Sequence, residues 1–253
     1  MGEIAMGIPS APRIGLVVPP ENPNAEPEYT QLLGRGPTFH TTRFPTTPDS
    51  TLRDMLDTYN EVLPDVLAGF GRLPLDAAVV ACSASHYLHA PDGDREFCAE
   101  LSERTGFPVR SSALATLDAL RALDLTRLTL VSPYEPWLTE LSRSYWERAG
   151  LTVERVVQVS TDGRFDPYTV TTDGLLAQLR RQDVPEDATL LFTGTGMFTL
   201  DALAELDGDP DRVLLSSNLA SVWWALRTAG GRPGEAAGDH PLLRRLARRA
   251  VAA

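Results

Sequence analysis

The segment DAAVVACSAS at residues 76–85 runs from Asp-Ala through a buried-strand pattern into a cysteine and two serines. Residues 187–196, DATLLFTGTG, repeat this pattern with threonine and glycine where the first copy has its cysteine. A second pair of similar segments, RIGLVVPPENP at 13–23 and RLTLVSPYEPW at 127–137, lies at nearly the same offset. Chance similarity between short apolar segments is the alternative, but two repeats at one interval favour two similar halves that face each other.

Apolar runs alternate with amphipathic helical patterns along the chain, which is typical of βαβ units and a parallel sheet. The predicted fold class is therefore α/β, with two pseudo-symmetric, Rossmann-like αβα halves, each built on a parallel four-stranded sheet. We expect the first half to span residues 1–110 plus 216–253 and the second to span 111–215. Both repeats end in loops at the carboxyl ends of strands, where open parallel sheets bind ligands, so we place the active site in the cleft between the halves.

The element boundaries follow from the same patterns. Strands are predicted over residues 14–18, 38–42, 77–81, 108–110, 128–131, 152–157, 189–193 and 213–215. Helices are predicted near residues 50–70, 94–105, 112–123, 136–149, 168–181, 199–206 and 217–229, and the tail 241–253 is predicted to form a closing helix.

The composition excludes several classes of function. All 23 basic residues are arginine, so chemistry that needs a lysine Schiff base is excluded. A net charge of −11 argues against nucleic acid or an anionic membrane surface as a partner. The chain lacks an apolar stretch of about 20 residues and a signal-peptide pattern, and Met6 stands where a myristoylation motif has Ser or Thr. We expect a cytoplasmic protein whose thiols are reduced, and prefer this to a Cys82–Cys98 disulfide. A homo-oligomer is left as an open alternative.

Cys82 is the first candidate for a reactive group. It follows the apolar run 77–81 and precedes Ser83 and Ser85, so it is expected at a strand end close to a helix N-terminus. Unpaired backbone N–H groups at such a position lower the pKa of a thiol and bind anions. A buried structural cysteine is the alternative, and that interpretation is preferred for Cys98, which lies inside a helical pattern.

No resident metal or cofactor is expected. Cys82, His86 and His89 have a spacing that a zinc site could use, but no second ligand cluster follows, so surface or loop histidines are the preferred interpretation. His86 is also considered as a residue that lines the pocket. Neither a Gly-x-Gly-x-x-Gly after the first strand nor a Gly-x4-Gly-Lys motif is present.

The loop PPENPNAEPEY at residues 19–29 follows the first predicted strand. Its asparagines can donate neutral N–H groups to a carboxylate, and its acids can cap the next helix. A proline-rich turn with a solvated acidic face is the alternative. The side chains concerned are Asn22, Asn24, Glu26 and Glu28. In the matching loop of the second half, the Tyr134 phenol can donate to a carboxylate or an enolate-like oxygen.

Four segments together resemble the aspartate/glutamate racemase superfamily, in particular its maleate cis–trans isomerase and arylmalonate decarboxylase branches. They are IGLVVPPENPNAEPE, FHTTR, LLFTGTGMFTLDAL and LLSSNLASVWWALRTAGG, and the similarity extends from Ile14 to about Gly231. The resemblance implies two α/β halves around a small carboxylate substrate and catalysis without a cofactor.

Racemases of this family use two thiols, one on each face of the substrate carbon. The resemblance assigns the first to Cys82 and places the second at Gly194, or at Thr193 if the internal repeat sets the alignment. Neither residue carries a thiol, so two-base racemisation is not expected. The predicted substrate-binding residues are Asn22, Ser83, Ser85, Tyr134, Thr193, Gly194 and Thr195.

Two reactions that need one thiol are compatible with the resemblance. The preferred one is cis–trans isomerisation of a maleate-like acid, in which the Cys82 thiolate adds to the double bond. The alternative is decarboxylation of an arylmalonate-type acid, in which Cys82 protonates the product on one face. Ala84 departs from the decarboxylases, where a hydroxyl is expected. A non-catalytic protein that binds small acids on the same scaffold is a third hypothesis.

Overall fold

A computed structural model describes residues 11–34, 36–208, 212–230 and 240–252. These residues form two parallel four-stranded sheets flanked by helices, which confirms the predicted fold class. The first sheet contains β1 (Arg13–Val18), β2 (Thr38–Arg43), β3 (Ala77–Val80) and β4 (Val109–Ser111). The second sheet contains β5 (Arg127–Ser132), β6 (Thr152–Gln158), β7 (Leu190–Phe192) and β8 (Leu214–Ser216).

The two sheets share one topology. The strand order is β2-β1-β3-β4 in the first and β6-β5-β7-β8 in the second, so the second strand of each half pairs outside the first strand. All the strand pairs are parallel, and a β-bulge between Leu128 and Thr129 shifts the register of β5 against β6. β3 and β7, the two strands of the first sequence repeat, occupy equivalent positions, which confirms the internal pseudo-symmetry.

The helices cover both faces of the sheets. They are α1 (Ala25–Leu33), α2 (Leu52–Ala68), α3 (Ser83–Tyr87), α4 (Ala90–Thr105), α5 (Ser112–Ala122), α6 (Pro136–Arg148), α7 (Thr172–Arg181), α8 (Leu200–Leu206), α9 (Ser217–Thr228) and α10 (Pro241–Ala252). The sequence patterns missed α1 and α3. Pro27 lies in the first turn of α1, where proline is tolerated, and α3 has five residues, too few for a helical period to show.

The halves pack through helices as well as across the cleft. α5 packs against α9, and α9 also contacts α1 and β3 of the first half. The predicted boundaries at 110/111 and 215/216 stay a prediction; Met6 and the parts of the first half at 1–10 and 231–239 lie outside the described residues. In the part of the chain that the structure describes, no helix has the length and apolar character needed to cross a bilayer.

Candidate active site

A cavity of about 550 Å³ opens between the carboxyl ends of the two sheets. Both halves line it, as expected for a site in the cleft between them. Five of the eight predicted site residues lie on its wall: Asn22, Cys82, Ser83, Tyr134 and Thr195.

The other three predicted residues are buried behind this wall. The Ser85 hydroxyl donates to the carbonyl oxygen of Cys82 at 3.2 Å, within the first turn of α3. The Thr193 hydroxyl bonds to the phenol of Tyr87, and Gly194 lies beneath the ring of Tyr134. The prediction that these three contact substrate directly is therefore not supported by their positions, because each faces protein atoms.

Cys82 is the residue immediately before α3, so the predicted helix N-terminus is present. Burial raises the pKa of the Cys82 thiol above its ordinary value, and the neighbouring backbone N–H groups of Ser85 and Ala84, which lower the pKa, offset this only in part. The side chain is 6% exposed and lies on the cavity wall. The predicted low pKa is thus wrong in its net direction, and the resting group is a neutral thiol at pH 7.

Asn22 links the two halves at the cavity. Its Nδ2 donates to Thr195 Oγ1 at 3.2 Å, while its Oδ1 accepts from the backbone N–H groups of Asn24 and Ala25 at 3.0 Å. The Thr195 hydroxyl in turn donates to the carbonyl oxygen of Ala81 at 2.6 Å. Since that hydroxyl is already committed, what Thr195 can offer a ligand is its backbone N–H.

Ser83 belongs to a hydroxyl network that also crosses the halves. Its Oγ lies 2.8 Å from Ser112 Oγ and 3.4 Å from Ser217 Oγ. Ser217 Oγ accepts from the backbone N–H of Gly194 at 3.1 Å. The network fixes the backbone beside Cys82 relative to the backbone at the end of β7.

Tyr134 explains why the second half has no side chain at residue 194. A Cβ built on Gly194 would lie 2.5 Å from Tyr134 Oη and 3.1 Å from its Cζ, and Gly194 has φ +90°. L-residues rarely adopt that backbone conformation, so glycine is required both by the space and by the backbone. The Tyr134 phenol therefore occupies the volume that a cysteine side chain at position 194 would need.

The outer walls of the cavity are largely apolar. Leu56 and Tyr59 of α2 form one wall, and Phe165 and Tyr168 of the segment between β6 and α7 line another. Burial raises the pKa of Tyr134, Tyr59 and Tyr168 well above the usual value, so these phenols are neutral hydrogen-bond donors at pH 7. Among the described residues that line the cavity there is no arginine.

His86 is buried, which corrects the preferred interpretation of a surface or loop histidine, and it does not line the cavity, which was the other possibility considered. The side chain is fully buried, and its Nδ1 lies 2.7 Å from Asp94 Oδ1. Asp94 Oδ2 also accepts from Ser111 Oγ at 2.7 Å and from Tyr145 Oη at 2.8 Å. His86 and these hydroxyl donors hold the pKa of Asp94 below its usual value despite its burial. The residues form a buried hydrogen-bonded cluster between α3, α4, β4 and α6.

Cys98 belongs to this cluster and does not form a disulfide with Cys82. Both cysteines are free, and Cys98 is buried inside α4, as the core interpretation predicted. Its Sγ lies 3.5 Å from Asp94 Oδ1, and burial together with that carboxylate raises the pKa of the thiol well above its usual value. His89, the other histidine of the weak zinc pattern, is half-buried, and burial lowers its pKa. The structure therefore groups His86 with Asp94 and Cys98 rather than with Cys82 and His89.

The acids and asparagines of the 19–29 loop divide into different roles. Glu26 forms a partly exposed ion pair with Arg43, close to the solvated face that was the alternative. Asn24 donates to the carbonyl oxygen of Gly196 at 2.5 Å and so binds the second half instead of a ligand. Glu28 caps no helix of its own half: it is fully buried and bonds to Thr199, Leu200 and Asn218. Sequence reasoning missed this because the contact spans more than 170 residues.

The family model of arylmalonate decarboxylase matches residues 14–243. The chain belongs to the arylmalonate decarboxylase family. A curated maleate isomerase from Nocardia farcinica is 28% identical over 237 residues, with 85% of this chain and 89% of the relative covered. A curated arylmalonate decarboxylase from Bordetella bronchiseptica is 27% identical over 186 residues, covering 70% and 77% of the two chains.

Solved structures of both kinds of enzyme have the same fold as this family member. One is a cysteine-to-serine mutant of the Nocardia farcinica maleate cis–trans isomerase with a covalently bound succinylcysteine intermediate. It is 26% identical with a TM-score of 0.75, and the match covers 92% of this chain and 98% of that chain. These findings confirm the resemblance recognised from the sequence segments and the expectation of an enzyme scaffold.

Proposed function

We propose that this arylmalonate decarboxylase family member is a cofactor-independent enzyme that acts on a small carboxylate substrate through the single thiol of Cys82. The preferred reaction is cis–trans isomerisation of a maleate-like acid. The observation that carries the proposal is the position of Cys82, at a helix N-terminus on the wall of the inter-half cavity. The covalent succinylcysteine in the Nocardia farcinica isomerase supports a nucleophilic cysteine on this scaffold.

In the isomerase reaction, the Cys82 thiol first loses its proton to water, and the thiolate adds to one carbon of the cis double bond. The electron pair of the π bond moves onto the neighbouring carbon and its carboxylate as an enediolate. Neutral donors on the cavity wall, the Tyr134 phenol and the backbone N–H of Thr195, stabilise that negative charge. Rotation about the new single bond and expulsion of the thiolate then give the trans acid, and the thiolate takes up a proton from water to restore the resting thiol.

Decarboxylation is a second candidate, and the raised pKa of the Cys82 thiol favours it. A malonate-type acid would lose CO2 and leave an enediolate on the same donors. The Cys82 S–H would then protonate the α-carbon on one face, and the thiolate would recover a proton from water. The apolar walls can pack against the aryl substituent of such an acid. Because the described lining residues include no arginine, the carboxylate that leaves as CO2 would not be held by a cation there.

The remaining expectations are part of the same proposal. With Gly194 beneath Tyr134, the second half has no thiol to serve as the other base of a racemase. A cytoplasmic location fits two free cysteines, and the net charge of −11 argues against a nucleic-acid partner.

Proton NMR in D2O tests the proposal and separates its two candidates. The protein is incubated with maleate and, separately, with phenylmalonate, beside a Cys82→Ser variant and a Cys98→Ser control. Fumarate without CO2 release supports the isomerase. Stereospecific deuterium at the α-carbon of phenylacetate, with CO2 release, supports the decarboxylase and overturns the preferred reaction. Equal turnover by wild type and Cys82→Ser overturns the role of Cys82.

A further inference from the structure

We propose that Glu28 is a positioning residue: it holds the segment 195–200 of the second half so that the backbone of Thr195 and Gly196 lines the cavity together with Cys82. The inference rests on the proposed function only in taking this cavity as the active site. It assigns Glu28 no contact with substrate, since Glu28 is fully buried behind the wall.

The Glu28 carboxylate is saturated by donors from the second half and α9. Its Oε1 accepts from the Thr199 hydroxyl and the Leu200 N–H, each at 2.9 Å, and also from the Thr199 N–H. Its Oε2 accepts from Asn218 Nδ2 at 2.7 Å. Glu28 lies on α1, so one side chain of the first half bonds to the start of α8 and to α9 at once.

Asn218 carries this connection to the cavity. Its Nδ2 also donates to the carbonyl oxygen of Thr195 at 3.2 Å. Glu28 therefore orients the Asn218 amide, and that amide fixes the Thr195 peptide group from behind. On the other side, Asn22 binds the Thr195 hydroxyl and Asn24 binds the Gly196 carbonyl. Asn22 and Asn24 therefore hold the segment from one side, and the Glu28–Asn218 pair holds it from the other. We call this set of four residues the clamp.

Two backbone N–H groups of the clamped segment are left to bind a ligand. Within the described residues, no hydrogen-bond acceptor is found for the backbone N–H of Thr195 or of Gly196. Both residues line the cavity, so these groups can serve a carboxylate or enediolate oxygen there. Because catalysis depends on such donors to within about 1 Å, the residue that fixes their position affects turnover without touching substrate.

A carboxylate is required chemically at this position. Four donor groups converge on Glu28, from Thr199 N–H, Thr199 O–H, Leu200 N–H and Asn218. A glutamine has one acceptor oxygen and an NH2 group, so at least one donor would face another donor. Burial raises the pKa of Glu28, and the bonds from Thr199, Asn218 and Leu200 lower it and so favour the ionised form, which makes stronger hydrogen bonds than a neutral amide does. Glu28→Gln is therefore nearly isosteric but cannot maintain the clamp.

The test compares Glu28→Gln with an Asp118→Asn control. Asp118 on α5 pairs with Arg110 on β4 and does not line the cavity, so its loss removes an ion pair without disturbing the clamp. For the substrate that wild type turns over, we expect kcat of Glu28→Gln to fall about 100-fold with KM changed far less, since misplaced donors fail chiefly in the transition state. Asp118→Asn should stay within about twofold of wild type. If Glu28→Gln does not fold, Glu28→Asp, which keeps the charge but shortens the reach, is measured in its place.

Hydrogen exchange makes the inference independent of the reaction. In Glu28→Gln, the backbone amides of Thr199 and Leu200, which bond to the Glu28 carboxylate, should exchange at least about tenfold faster than in wild type, with residues 112–122 unchanged. If wild type converts neither maleate nor phenylmalonate, the proposed function fails while the exchange experiment still tests the clamp. A folded Glu28→Gln variant with wild-type exchange at Thr199 and Leu200, or with wild-type kcat, would overturn the role of Glu28.

Discussion

Replacing Gly194 with alanine tests the account of the missing second thiol. The backbone at Gly194 has φ +90°, which costs an L-residue about 1–2 kcal/mol. The new Cβ would also meet Tyr134 Oη at 2.5 Å and Cζ at 3.1 Å, and overpacking of this kind costs about 1–3 kcal/mol. We therefore expect Gly194→Ala to lower the free energy of unfolding by about 2–5 kcal/mol.

Gly150→Ala is the matched control. Gly150 has φ +92°, nearly the same backbone conformation, but a Cβ there meets nothing within 4 Å. It should cost only the backbone strain, about 1–2 kcal/mol. For a chain of this size, about 2–4 °C of Tm is lost per kcal/mol, so Gly194→Ala should lower Tm by about 4–20 °C and Gly150→Ala by about 2–8 °C.

A double-mutant cycle locates the source of the difference. Tyr134→Phe removes the hydroxyl that makes the 2.5 Å contact, so it should recover part of the loss when combined with Gly194→Ala. Calorimetry or urea unfolding of the four proteins gives the coupling. Equal losses for Gly194→Ala and Gly150→Ala, or additive effects of Gly194→Ala and Tyr134→Phe, would refute the argument that the phenol fills this space.

Three further predictions concern the titrating groups. Because burial raises the pKa of Cys82, iodoacetamide should alkylate this thiol more slowly than free cysteine at pH 7.5. The alkylation rate should still increase about tenfold per pH unit beyond pH 9, and a rate that levels off below pH 8 would contradict this. Isomerase turnover, which needs the thiolate, should rise with pH through that same pKa, whereas decarboxylase turnover, which needs the thiol, should fall, so the sign of the limb in a pH–rate profile identifies the reaction. Asp94→Asn should cost about 3–5 kcal/mol of unfolding free energy at pH 7, and because the folded-state pKa of Asp94 is depressed, this difference from wild type should shrink as pH falls below about 4; a loss independent of pH from 7 to 3 would contradict the assignment.

The strands could be predicted closely from the sequence. The run 77–81 is apolar at every position, and 128–131 is apolar except for the buried Thr129, because strands buried on both faces of a parallel sheet need few polar residues. Within the described residues, the helices other than α1 and α3 were also located. α1 and α3 were missed because their signals are local and weak: a proline inside the first turn in one, and a length of five residues in the other.

The site could be predicted only as far as strand ends reveal it. Cys82, Asn22 and Tyr134 were identified because each follows a strand at the sheet edge where ligands bind. The orientation of Thr193 toward Tyr87 and the burial of Glu28 depend on contacts between the halves, which no local pattern contains. The predicted shift of the Cys82 pKa had the wrong direction, because the nearby N–H groups could be inferred from the sequence whereas the extent of burial could not.

The contact between Tyr134 and Gly194 also limits how this enzyme can change over evolutionary time. A codon change that placed a cysteine at position 194 would meet the backbone strain and the clash with the phenol. Such a variant would lose stability whatever its new thiol could do for catalysis. A second thiol at this position therefore requires Tyr134 to be replaced or to move first, so the order of the two mutations decides whether the change is tolerated.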